Sequence, residues 1–144
     1  TNRYGLQLAY YISIKHPEDK KIYIICPMCI PELFSLVEFI YEHLDANCFK
    51  LDFTGNGNSQ GEHSYAEFER DAEDIDDAVN FLASRGYKIE GIIGHCRSAV
   101  SSIIYSALYG NVKKIISISP RYNMSTLPEF LQVNNDRLMD NTEV

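Results

Sequence analysis

GIIGHCRSAVSSIIYSALYG, residues 91–110, runs an apolar segment straight into a helical pattern of small residues, with Gly-His-Cys-Arg-Ser at the junction. A strand that turns this abruptly into a helix lifts one side chain, here Cys96, to the apex of the turn. Side chains two positions before and two after would collide, so those places need small residues, and Gly94 and Ser98 fill them. A cysteine there lies at a helix N-terminus beside Arg97, and both features favour the thiolate. The backbone N–H of Arg97 would face negative charge developing on an attacked carbonyl. The competing reading is a buried structural cysteine in an ordinary strand-to-helix turn.

Working outward, the chain alternates strand and helix signals. Leu6–Ile14 is β-rich, and His16-Pro17-Glu18-Asp19 marks a turn. Lys21–Cys26 (KIYIIC) is almost wholly apolar, as expected of a strand covered on both faces. Leu33, Leu36, Val37, Ile40 and Leu44 fall at helical spacing, and Asn47–Phe53 reads as another strand. After the loop TGNGNSQGEHS, Ser64 and Glu67 have the spacing of a capping box, and Gly86 closes the helix they would open. Ile89–Ile93 and Lys113–Ser119 are further strands, with a helix from Arg97 to Tyr109 ended by Gly110. This alternation predicts right-handed crossovers, a mostly parallel sheet with helices on both faces, and a ligand site at the carboxyl ends of the strands.

At 144 residues the chain suits one domain, against roughly 150 residues per domain. A formal charge of −7 argues against nucleic acid, since phosphate contacts require clustered Lys and Arg. The acidic stretch EFERDAEDIDD, 67–77, reads as a solvated helix face. No apolar run approaches the roughly 18 residues that span a bilayer, so no membrane role is expected. Four cysteines without an export signal suggest free thiols in a reducing compartment, and the cytoplasm is the expected location.

Other constellations compete with the Cys96 turn. Cys26-Pro-Met-Cys29 lies between a strand and a helix, as thioredoxin-like redox motifs do, although the downstream chain lacks that pattern. It could also be half of a zinc site, but no second pair exists, and neither metal nor cofactor is expected. GNGNSQG, 55–61, lacks the Lys-Ser/Thr of a phosphate-cradling loop and reads as a structural turn.

Three passages in this order resemble the α/β-hydrolase superfamily, nearest to the serine-aminopeptidase-like and esterase-like hydrolases of plants, fungi and protists. LDFTGNGNSQGEHSYAEFERDAEDIDDAVNFL, from Leu51, resembles that family's D-x-x-G-x-G-x-S-x-G loop and acidic helix. GIIGHCRSA is similar to its nucleophile elbow, G-x-S-x-G, with Cys for the serine and Ser98 for the second glycine. KKIISISPRYNM, from Lys113, is similar to its sixth strand and exit. The resemblance implies an α/β-hydrolase fold whose strands two to six are present and whose closing strands are missing. On it, residues 1–144 form a single domain incomplete at the C-terminus. A cap region, where present, is expected to begin near residue 124, and a further segment or a protein partner is expected to cover the open sheet.

The resemblance also implies a small acyl substrate, with Cys96 as nucleophile and the N–H groups of Arg97 and Cys29 as oxyanion hole. Gly94 and Ser98 set the elbow geometry. Pro27-Met28 occupies the family's His-Gly positions, and proline has no N–H to donate. Dienelactone hydrolases of the same superfamily use a cysteine, whereas Ser98 adds a hydroxyl in a crowded turn. The family's acid and histidine follow its seventh and eighth strands, but His16, His43, His63 and His95 all precede Cys96. Some lipases carry the acid after the sixth strand, where this chain has Asn123. Two functions follow: an ester, thioester or peptide hydrolase completed by residues beyond Val144, or a degenerate hydrolase serving as a binding or structural subunit.

Overall fold

The structure is a computed structural model that describes residues 1–26, 36–64 and 67–120. In chain order these form β1 (Tyr10–Ser13), β2 (Lys21–Cys26), α1 (Leu36–His43), β3 (Cys48–Leu51), α2 (Phe68–Ser84), β4 (Lys88–His95), α3 (Arg97–Tyr109) and β5 (Ile115–Ile118). One sheet holds the strands in the order β1-β3-β2-β4-β5. β1 runs antiparallel to β3, and every other pairing is parallel.

The alternating side chains of the central strands build two cores. Ile22, Ile24 and Cys26 of β2, Phe49 and Leu51 of β3, and Ile92 of β4 face one way, against Ala72, Ile75, Val79 and Leu82 of α2 and Tyr105 of α3. Ile25, Cys48 and Ile93 face the other way, against Val37, with Ile40 and Tyr41 of α1 packed beside them. Helices therefore cover both faces, as the unbroken apolar run of β2 requires. The α1 face also holds Lys50, whose Nζ lies 2.6 and 2.8 Å from the Glu38 carboxylate and 4.5 Å from the Tyr11 ring centre.

β1 is shorter than Leu6–Ile14 because the residues before it are used differently. Asn2 Nδ2 donates to Asp74 Oδ1 (2.9 Å) and Thr54 Oγ1 (3.1 Å). Arg3 binds Asp76 and Asp77 of α2 at 2.7–3.1 Å, and the Tyr4 hydroxyl donates to Glu73. Ala9 donates to the Ser59 side chain and Gln7 to that of Gln60.

These contacts correct the reading of 67–77 as a solvated face. Asp71 and Asp74 are fully buried, and Asp76, Asp77 and Glu73 receive the amino-terminal residues. The capping box is corrected too. α2 begins at Phe68 with Glu67 at its N-cap and no side-chain cap; Glu67 is instead ion-paired with Arg70, and the Ser64 carbonyl is bound by Arg97. Gly86 and Gly110 take left-handed φ values of 80° and 64° after α2 and at the end of α3, as read. No helix among the described residues is long and apolar enough to cross a membrane.

Candidate active site

β4 ends at His95 and α3 begins at Arg97, leaving one residue for the turn. That residue, Cys96, has φ 57° and ψ −111°, a sparsely populated conformation for a side-chain-bearing residue and one that costs on the order of 1–3 kcal/mol. Its own N–H donates to the Ile118 carbonyl of β5 at 2.9 Å, and its thiol caps no helix N–H. Arg97 is the first residue of α3, so its N–H has no acceptor within the helix.

The turn is tight where the sequence requires it to be. A Cβ on Gly94 would stand 2.4 Å from the Ser98 carbonyl oxygen and 2.8 Å from the Ala99 nitrogen, far inside contact distance. Ser98 proves to be more than a tolerated substitute for glycine. Its buried hydroxyl accepts from the His95 N–H at 2.9 Å and lies 2.6 Å from the Cys26 carbonyl, tying the end of β2 to the elbow. The Ser102 hydroxyl in turn donates to the Ser98 carbonyl at 2.7 Å.

The Arg97 side chain is engaged within the protein. It is buried and forms a two-pronged pair with buried Asp71, Nε to Oδ2 at 2.7 Å and Nη2 to Oδ1 at 2.9 Å. The guanidinium is thus paired with a carboxylate within the core. Burial pushes the Asp71 carboxyl up, and the hydrogen bonds from Arg97 and Ser101 pull it partly back. A pairing 26 residues apart, from a helix that looked solvated, left no local signal beyond the acid-rich stretch itself.

The loop after β3 also lies at this edge of the sheet. Gly55 and Gly57 hold φ values of 73° and 53°, and a Cβ on Gly57 would meet the Asp52 carboxylate at 2.3 Å. The N–H groups of Gly55, Asn56, Asn58, Ser59 and Gln60 all bond within the protein, so the loop has few donors left to cradle a phosphate. His63 Nδ1 sits 2.9 Å from Asn56 Oδ1; desolvation by the loop and then the charge of Arg97 push its pKa down.

Cys26 is completely buried, and desolvation pushes its thiol far up, which is contrary to redox exchange. Among the described residues no group of three His, Cys, Asp or Glu could hold a metal ion. Cys29, the other expected oxyanion donor, Asn123 and the expected cap start near residue 124 lie outside the described residues.

No protein-family model and no curated protein sequence matches the chain. Solved structures do. Est1E from Butyrivibrio proteoclasticus, bound to ferulic acid, aligns with TM-score 0.67 and 18% identity over 81% of this chain and 50% of that one. The esterase Pf2001 of Pyrococcus furiosus aligns with TM-score 0.71 and 18% identity over 97% and 58%. DcsB, in complex with a substrate analogue, aligns with TM-score 0.71 and 21% identity over 100% and 53%. The chain thus has the α/β-hydrolase fold, and it spans about half the length of the chains it matches.

Proposed function

We propose that this chain carries the nucleophile half of a hydrolase that cleaves esters or thioesters of small acyl groups, with Cys96 as the nucleophile. One observation carries the reading: Cys96 is held at φ 57°, ψ −111° between a strand end and a helix start. A side chain lifted to that position on strained backbone suits attack, and strain of this kind clusters at functional sites. The Cys96 sulfur bonds to the acyl carbon while the carbonyl π pair moves onto oxygen, toward the N–H of Arg97 and that of Cys29. Collapse expels the alcohol or thiol, which takes up a proton, and water then cleaves the acyl-sulfur bond to release the acid and restore the thiol. The acid and histidine that would move these protons are assigned to parts of the protein outside the described residues. A thiolate suffers less than an alcohol would from a distant base.

Alkylation by iodoacetamide at pH 7, with site assignment by mass spectrometry, tests the reading. Cys96 should react faster than a free cysteine, and an acyl substrate analogue should protect it. A Cys96 that reacts no faster and gains no protection would overturn the proposal and leave a degenerate hydrolase serving as a binding subunit.

A further inference from the structure

We infer that Asp71 is a positioning residue for the elbow: through Arg97 it fixes the first turn of α3, and with it the N–H that faces the developing oxyanion. The inference rests on the reading of Cys96 as nucleophile and adds residues that the sequence motif does not contain. Four contacts support it. Asp71 holds both prongs of the Arg97 guanidinium, the Ser101 hydroxyl donates to Asp71 Oδ2 at 3.0 Å, and the same hydroxyl lies 3.3 Å from the Arg97 carbonyl one turn back. Arg97 Nη1 also donates to the Ser64 carbonyl, so the loop after β3 is bound to the same guanidinium.

The physical argument begins from energetics. A buried ion pair is close to neutral for stability when compared with apolar residues of the same size, because desolvation offsets the attraction. The geometry it imposes is a separate matter. Ser98 anchors the elbow on the β2 side through the Cys26 carbonyl, and Ile118 anchors the Cys96 N–H on the β5 side. Asp71 supplies the anchor from the helix layer, on Arg97, one of the two residues whose N–H the chemistry uses. A two-pronged guanidinium–carboxylate pair fixes direction as well as distance, which a lysine could not do.

The test compares two reactions of the same sulfur in the full-length protein. Acylation by p-nitrophenyl acetate passes through an oxyanion and alkylation by iodoacetamide does not, so the ratio of their rates at Cys96 isolates the N–H contribution. Cys96→Ala supplies the background from other thiols. Wild type should show a ratio above that of free cysteine. Loss of one oxyanion donor costs roughly 10²–10³ in rate, so a displaced donor in Asp71→Leu/Arg97→Met should lower the ratio about tenfold or more while circular dichroism and cooperative melting persist. Arg97→Lys, which keeps the charge but not the fork, should fall between the two. Should the double variant not fold, Ser101→Ala loosens Asp71 without touching either charge and should still lower the ratio about two- to threefold.

A folded variant whose ratio equals that of wild type would overturn the positioning role while leaving Cys96 as nucleophile. A wild-type ratio no higher than that of free cysteine would overturn both.

Discussion

The α-carbon of Gly94 faces the Ser98 carbonyl so closely that a methyl group built on it would lie 2.4 Å from the oxygen and 2.6 Å from the carbon. Both atoms belong to the backbone and cannot step aside as a flexible side chain can. Gly94→Ala must push the first turn of α3 outward, at about 1–3 kcal/mol or more. The expected outcome is a lower denaturation midpoint together with slower acylation of Cys96. A Gly94→Ala protein with wild-type acylation would show that the turn is not held where described.

Ser98→Ala keeps the small volume but removes a hydroxyl that serves the His95 N–H and the Cys26 carbonyl. Leaving such buried groups unpaired costs about 1–3 kcal/mol. Urea unfolding should register that loss. Ser98→Gly, which restores the usual elbow residue, should be no more stable than Ser98→Ala. The serine is thus a stitch, and a Ser98→Gly protein more stable than wild type would refute that.

The amino-terminal contacts should separate by burial. Asn2→Ala strips a donor from Asp74 inside the protein and should cost about 1–3 kcal/mol whatever the salt concentration. Arg3→Ala breaks pairs that water reaches and should cost below about 1 kcal/mol, with the difference vanishing in molar salt. Urea midpoints at low and high salt check both.

Two histidines should oppose each other in the pH dependence of stability. His16 is bonded to Asp45 at 2.8 Å, which raises its pKa above 6.5, so its contribution is present below pH 6.5 and is lost as pH rises through the folded value. His63 is shifted below 6.5, so its folded form resists protonation; stability is full above pH 6.5 and declines as pH falls through that window. In an Asp45→Asn background the melting temperature should therefore fall as pH is lowered from 6.5, and adding His63→Gln should flatten that slope. A slope unchanged by His63→Gln would contradict the assignment.

Much of the fold could be read in the sequence because its signals are local. The apolar run 21–26, the helical spacing of 68–82 and the closing glycines each depend on neighbours within one or two turns. The elbow was legible for the same reason, since the demand for small residues at 94 and 98 arises from the turn itself. What escaped was the side-chain wiring across layers. Asp71 looked like one acid among many, Arg97 looked like a cation for the thiolate, and Ser64 had the spacing of a cap. Each found a partner far along the chain, and neither periodicity nor motif spacing encodes such distances.

Asn2 meets Asp74 across 72 positions of chain. The contact forms only once α2 is in place to present that carboxylate. Closing so long a loop lowers the chain's entropy before any contact rewards it, and folding governed by such distant contacts is slow. The Cys26–Ser98 tie spans the same length of chain, so the amino-terminal segment and the elbow are both fastened across long loops rather than by local helix growth.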